Sequence, residues 1–192
     1  VPQIVYYFAA YAQLLKAGQI ALGDAVDFCV PTGNFGDILA GYYAKQMGLP
    51  VGKLVCASNE NNVLTDFLTT GTYTARRAFY KTTSPSMDIL VSSNLERLLY
   101  HVTGSDTEVA SLMKQLNETG SYTVRPETLA AIQESFACGW SSEAQVAEEI
   151  RARYEQDHYL CDTHTAVAFH VAAQHKRDGV PMVVLSTASP FK

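Results

Sequence analysis

The sequence predicts an α/β protein: an open, mostly parallel sheet with flanking helices. Short apolar runs of strand length alternate with amphipathic stretches of helix length. A helical stretch joins the first two apolar runs, which makes them parallel neighbours in a βαβ unit. A third run, Met182–Leu185, is continuously apolar, as strands buried in parallel sheets are. Ligands bind beyond the carboxyl ends of such strands, so the loops at that edge are the candidate functional segments.

Composition limits the classes of function. The 192 residues correspond to about one domain, and the net charge of -5 with scattered basic residues gives no support for a nucleic-acid partner. No apolar run approaches the ~18 residues that span a membrane. The four cysteines lie far apart without a CxxC pattern, which favours free thiols over disulfides or metal ligands and predicts a cytoplasmic location.

The first elements follow from helix and strand signals. A helix is predicted over 2–16, with proline in its first turn and Gly18 as its C-terminal cap. The apolar strand 25–30 comes next, followed by a helix over 35–47 that ends at Gly48.

The middle of the chain continues the alternation. Lys53–Ala57 reads as the second strand, and a helix over 63–70 follows it. The stretch 71–86 reads as a loop and Met87–Val91 as another strand. A helix is then predicted over 92–100, because Ser93 and Glu96 have the spacing of a capping box.

The last third is mainly helical. A more charged segment with little strand signal, about 104–157, is interpreted as a helical insert. Helices are predicted over 106–117, 126–137, 142–156 and 162–176, followed by the strand 182–185.

The seven residues Pro31–Asp37, here named the glycine loop, join the first strand to its helix. Gly33 and Gly36 let the backbone approach a ligand closely. Free N–H groups at a helix N-terminus favour an anion, so phosphate binding is one interpretation and an ordinary βα turn is the other. The loop matches neither the P-loop nor the dinucleotide fingerprint.

Two other loops leave the same predicted sheet edge, Ser58–Asn62 and Ser186–Pro190. They are rich in Ser, Thr and Asn, which offer neutral hydrogen bonds but no nucleophile–base pair. No lysine lies in an obviously desolvating context, and no metal site is indicated. His164, beside Asp162 at a helix start, is interpreted as a packing or capping residue in preference to a catalytic one.

Four ordered motifs resemble the threonine synthases, which are pyridoxal-phosphate enzymes of fold type II, the tryptophan-synthase-β-like fold. The first is the glycine loop with Ala40–Ala44 after it. The other segments, in family order, are Ala57–Asn62, Ser84–Ile89 with Asn94–Arg97, and Ser186–Lys192; the opening Val1–Phe8 also fits. The resemblance covers nearly the whole chain and is weakest across 104–157.

This resemblance implies a lyase that converts O-phospho-L-homoserine and water into L-threonine and phosphate. The cofactor phosphate would bind the backbone N–H groups of the glycine loop, and the Thr187 hydroxyl would meet the pyridine nitrogen. The implied cofactor-binding residues are therefore Gly33, Asn34, Phe35, Gly36, Asp37 and Thr187. Candidates for holding the substrate are Asn59, Asn62, Ser84, Asn94 and Arg97.

The sequence departs from the family pattern in three ways. The Ala-Phe-Lys-Asp-like segment that carries the Schiff-base lysine is absent. Residues 1–192 are thus expected to be a partial pyridoxal-phosphate-binding domain, the C-terminal part of a longer chain, inactive without its N-terminal remainder. Asp37 replaces the usual Asn, so it is expected to contribute its N–H or cap the helix, and Thr163 replaces a common Pro.

Two alternatives stay open at this point. One is a non-catalytic module that binds a phosphorylated metabolite, and the other is a different fold-type-II lyase acting on hydroxyamino acids. The sequence upstream of Val1 would separate the first alternative from the synthase, because only the synthase requires the missing lysine.

Overall fold

The computed structural model describes residues 2–191, and predictions that involve Val1 or Lys192 lie outside them. Helices and strands alternate through most of the chain. In order they are α1 (Ile4–Lys16), β1 (Val26–Pro31), α2 (Gly36–Gln46), β2 (Val51–Ser58), α3 (Val63–Thr70), β3 (Thr72–Thr74), a 3₁₀ turn (Pro85–Met87), α4 (Leu95–Thr103), α5 (Asp106–Thr119), β4 (Ser121–Thr123), α6 (Pro126–Ser135), β5 (Phe136–Trp140), α7 (Glu143–Asp157), α8 (Thr163–His175) and β6 (Met182–Val184).

The main sheet has the order β5-β2-β1-β6, and all its strand pairs are parallel. The predicted βαβ unit is confirmed: β1 and β2 are neighbours, with Phe28 opposite Leu54 and Pro31 opposite Ala57. Every residue of β1 is buried, as expected for a strand covered by helices on both faces. β3 and β4 form a separate antiparallel pair.

Helices bury both faces of this sheet. On one face, Phe28 and Leu54 join a core with Tyr7 of α1, Leu39 of α2 and Phe67 of α3. On the other face, α8 packs Ala168, Val171 and their neighbours against Cys29 and Val55. The apolar runs that predicted the strands are therefore two-sided core segments, and the loops at their ends carry the polar groups.

Four predictions of local structure are wrong. The stretch 71–86, predicted as a loop, contains the strand β3. Met87–Val91 is the end of the 3₁₀ turn and irregular chain, not a strand. The stretch 126–137 ends as a helix at Ser135, and β5 begins at the next residue without a glycine or proline between them. Ser93 does not form the predicted capping box; Asn94 is at the cap position of α4, and Ser93 bonds to Asn34 in the glycine loop.

The segment 104–157 is mainly helical but also contains β4 and β5. β5 is an edge strand of the main sheet, in register with β2 from Leu54 to Ser58. The assignment of the segment 104–157 as an insert in a larger domain stays a prediction. None of the helices in the described part of the chain is long and apolar enough to cross a membrane.

Candidate functional site

A cleft of about 370 Å³ opens where β1 leads into α2. Residues from six separate parts of the chain line it. The lining residues are Gln3, Pro31, Thr32, Gly33, Asn34, Phe35, Gly36, Asp37, Ser86, Met87, Asn94, His164 and Thr187. All six residues predicted to bind the cofactor are in this set, together with Asn94 from the predicted substrate group.

Hydrogen bonds to its backbone carbonyl oxygens orient the glycine loop. Ser92 Oγ donates to the Gly33 carbonyl at 2.5 Å, and Asn94 Nδ2 donates to the Asn34 carbonyl at 2.9 Å. Within residues 2–191, the N–H groups of Gly33, Asn34 and Phe35 donate to no other group. The segment 92–94 therefore holds the loop's carbonyl oxygens and leaves its N–H groups for a ligand.

The backbone of the loop bends sharply at Phe35. This residue has φ 62°, ψ 8°, a left-handed conformation that is uncommon outside glycine. Its side chain is buried and its ring lies 5.6 Å from that of Phe136. Packing thus maintains a strained turn at the N-terminus of α2, where the first-turn N–H groups and the helix dipole favour an anion.

Gly33 allows a close approach between two segments. A Cβ at this position would lie 2.9 Å from Met87 Cα and 3.0 Å from the Ser86 carbonyl oxygen, both backbone atoms. The 3₁₀ turn therefore packs directly on the glycine loop and forms one wall of the cleft. Gly33 was expected to let the backbone approach a ligand closely. The packing of the 3₁₀ turn requires a glycine at this position as well.

Asp37 lies in the first turn of α2 and is the one carboxylate among the lining residues. It does not provide a side-chain cap, since Phe35 is at the cap position and no side-chain cap bond is formed. Tyr7 Oη donates to the Asp37 carbonyl at 2.8 Å and lies 3.3 Å from Asp37 Oδ1. Burial raises the pKa of Asp37, and the Tyr7 hydrogen bond opposes that rise in part.

His164 lies on the opposite wall, buried beside the 3₁₀ turn. Its Nε2 is 3.3 Å from the Ser86 N–H, which can only donate, so Nε2 is the acceptor and the proton is on Nδ1. Nδ1 then donates to Asp162 Oδ1 at 3.2 Å. His164 thus links the start of α8 to the cleft wall, which agrees with the packing role expected for it.

Asp162 is the cap of α8, so the substitution of Thr for Pro at 163 does not disturb the helix start. Its carboxylate accepts from the N–H groups of His164 and Thr165 and from Thr165 Oγ1. Burial acts to raise the pKa of Asp162, but these hydrogen bonds outweigh it and lower the pKa below its ordinary value.

The remaining predicted substrate residues lie away from this cleft. Asn59 and Ser84 are buried in one hydrogen-bonded cluster, in which Asn59 Nδ2 donates to Ser84 Oγ at 3.0 Å and to Asp88 Oδ1 at 2.8 Å. Asn62 lines a separate pocket with Trp140, and Arg97 lines a groove between α4 and α5. Of the three loops expected to meet in one crevice, 33–37 and 186–190 contribute to the cleft and 58–62 does not.

The cleft also contains residues that the sequence did not single out. Ser86 and Met87 lie in the family-like segment Ser84–Ile89, but neither was predicted to contact a ligand. Gln3 lies in the opening segment that also fits the family, and it too was not predicted to contact a ligand. His164 had one in the Asp162 cap pattern, which places its ring near a helix start but gives no indication of a cleft.

Comparison with known proteins identifies the family. No family model matches the chain. It is 43% identical over 189 residues to threonine synthase-like 1 of Homo sapiens, covering 97% of this chain and 25% of that protein. It is 40% identical over 215 residues to the threonine synthase of Schizosaccharomyces pombe, covering 99% of this chain and 41% of that protein.

Among solved structures, it is similar to the pyridoxal-phosphate-bound threonine synthase of Brucella melitensis. The TM-score is 0.92 at 45% identity, over 98% of this chain and 40% of that one. The predicted fold class, an α/β fold of the fold-type-II enzymes, is confirmed. The chain spans a quarter to two fifths of the length of these relatives, and it belongs to the threonine synthase family.

Proposed function

We propose that the protein containing this chain is a pyridoxal-phosphate-dependent threonine synthase, which converts O-phospho-L-homoserine and water into L-threonine and phosphate. The observation that supports this most directly is the cleft itself. It combines the unpaired N–H groups of the glycine loop with the hydroxyl of Thr187. The similar structure from Brucella melitensis is described as pyridoxal-phosphate bound.

The residues present fit the cofactor. The N–H groups of Gly33, Asn34 and Phe35 have no acceptor among the described residues, and those of Gly36 and Asp37 belong to the first turn of α2. These five would bind the phosphate group, and Thr187, three residues beyond the last residue of β6, would offer a neutral hydroxyl to the ring nitrogen. When bound, the cofactor supplies an electron sink for carbanions of the amino-acid substrate.

This chain's contribution is binding and orientation. Ser92 and Asn94 hold the loop carbonyls, and the buried ring of Phe35 fixes the turn that presents the N–H groups. Among the substrate candidates, Asn94 lines the cleft, and its contact with Asn34 supports a role in loop positioning. Direct substrate contacts by Asn59, Asn62, Ser84 and Arg97 remain predictions.

The 192 residues alone are proposed to be inactive. Among the described residues, no lysine lines the cleft. The lysine that binds the cofactor aldehyde would come from the N-terminal remainder of the same polypeptide, for which the relatives' greater length leaves room. A cytoplasmic location is part of the proposal and is supported by the four free thiols.

The test measures phosphate and threonine release from O-phospho-L-homoserine by the full-length, cofactor-loaded protein. We expect turnover, and none from residues 1–192 alone. Borohydride reduction followed by peptide mapping should locate the cofactor on a lysine outside these residues. Cofactor binding without turnover would favour the non-catalytic alternative, and turnover of another hydroxyamino acid in place of this substrate would favour a different lyase.

A further inference from the structure

The cleft presents a charge problem for a phosphate ligand. Its described lining includes the Asp37 carboxylate but no lysine or arginine. Asp37 also forms no ion pair in the described part of the chain. A carboxylate in the first turn of a helix is a natural acceptor for free N–H groups nearby. Unrestrained, Asp37 would both repel a phosphate and compete with it for the same donors.

Tyr7 restrains this carboxylate from a different helix. Its hydroxyl donates to the backbone carbonyl of Asp37 at 2.8 Å and lies 3.3 Å from Oδ1, so both the backbone and the side chain of Asp37 are held. The tyrosine is fully buried, and its ring contacts Phe28 edge-on at 5.0 Å. A hydroxyl with no route to water has these two oxygens as its acceptors.

A glycine in α2 allows the ring of Tyr7 to approach that helix closely. A Cβ at Gly41 would lie 2.6 Å from Tyr7 Cε1 and 2.8 Å from Cζ. The close packing of α1 on α2 therefore depends on the absence of a side chain at Gly41. The hydroxyl reaches the first turn of α2 because the helix has no side chain at this position.

We propose that Tyr7 and Asp37 form a positioning pair: the tyrosine hydroxyl holds the aspartate away from the N–H groups of the glycine loop, which keeps them available for phosphate. This inference rests on the proposed function and adds to it a residue from α1. Tyr7 acts through Asp37 and is not itself a ligand.

The experiment uses the full-length protein freed of cofactor and two probes, pyridoxamine 5′-phosphate and pyridoxamine. Neither can bond covalently to a lysine, and their affinity ratio reports phosphate recognition. Tyr7→Phe removes the tyrosine hydroxyl. We expect it to weaken the binding of pyridoxamine 5′-phosphate about tenfold, with little effect on the binding of pyridoxamine. Tyr7→Phe combined with Asp37→Asn should restore the affinity to within about threefold, because the competing charge is gone.

Tyr11→Phe is the matched control. Tyr11 is buried one turn further along α1, but its hydroxyl bonds to Asp24 and Gly23, outside the cleft. Tyr11→Phe should leave the ratio of the affinities for pyridoxamine 5′-phosphate and pyridoxamine unchanged. A loss in Tyr7→Phe that Asp37→Asn does not repair would mean general loosening of α1 and would overturn the pair.

The remaining outcomes separate the two proposals. If the wild type does not prefer the phosphate probe, the proposed function fails and the pair fails with it. If it does prefer that probe and Tyr7→Phe binds equally well, the pair alone fails. Asp37→Asn keeps the backbone N–H of residue 37 and tests the pair without altering Tyr7. We expect it to change the affinity for pyridoxamine 5′-phosphate by less than about threefold. A gain in that affinity of tenfold or more would show that Tyr7 does not restrain the carboxylate.

Discussion

Gly33 shows how one residue can serve both packing and ligand binding. The motif of the glycine loop predicts that Gly33 lets the backbone approach a ligand closely. Its contact with Met87 and Ser86 could not be predicted, because those residues are more than fifty positions away and Met87 reads as the start of a strand. The same limit applies to Tyr7, whose spacing predicts only a packed helix face. Motifs therefore locate the loop, whereas the side chains that orient it depend on tertiary contacts.

Gly33→Ala should destabilise the protein by about 1–3 kcal/mol, because the added methyl meets two backbone atoms that cannot rotate away. The same displacement should weaken binding of pyridoxamine 5′-phosphate to the full-length protein. Chemical denaturation and probe titration measure the two effects.

Gly23→Ala is the control for loss of a glycine as such. Gly23 has φ 100°, and a Cβ added there would have no neighbouring atom within 4 Å, so only backbone strain is expected. If both variants lose stability but neither changes probe affinity, the close packing at Gly33 has no role in shaping the cleft.

At the scale of elements, apolar runs with helix signals predicted most of the fold. The βαβ unit, α1 and α8 lie within a few residues of the predicted bounds, because periodicity and caps agree there. β5 was missed because it follows α6 without a break and its residues are only partly buried. Met87 is apolar because its side chain joins the core cluster that contains Cys29 and Val171, not because it pairs in a sheet.

The cap of α8 leads to a prediction about pH. Asp162 has a folded-state pKa below its unfolded value, so its stabilisation is present above the unfolded pKa and is lost as pH falls through the folded one. Asp162→Asn removes the charge and should cost about 1–2 kcal/mol at pH 7. The difference from wild type should shrink below about pH 4. Urea unfolding of the full-length protein at pH 7 and pH 3 measures it.

Asp106→Asn provides the comparison. Asp106 is exposed in the first turn of α5, and its carboxylate accepts a hydrogen bond from the neighbouring N–H of Thr107 at 2.7 Å. Its replacement should change stability by less than about 0.5 kcal/mol at either pH. If Asp162→Asn lowers the free energy of unfolding relative to wild type by as much at pH 3 as at pH 7, the stabilisation does not come from an ionised cap.

Across the whole molecule, one ion pair joins residues 150 positions apart. Asp27 in β1 is 1% exposed, and Arg177, just after α8, donates to both of its oxygens at 2.6 and 2.7 Å. The Lys53 N–H donates to the same carboxylate at 2.6 Å. This group lies at the amino-terminal edge of the sheet, opposite the cleft, where it ties the α8–β6 connection to β1. A charge inside an apolar strand is visible in the sequence, but its partner is not.

Arg177→Ala should destabilise the protein by about 2 kcal/mol, because it leaves a buried carboxylate with a single N–H donor. The loss should fall short of that for a fully buried pair, since the arginine is 47% exposed and partly solvated. Arg125→Ala breaks a surface pair with Glu108 and should cost less than about 1 kcal/mol. Equal losses in urea unfolding would contradict a special role for the buried carboxylate. An unchanged phosphate-probe affinity in Arg177→Ala is expected as well, because the ion pair and the cleft lie at opposite ends of the same strand.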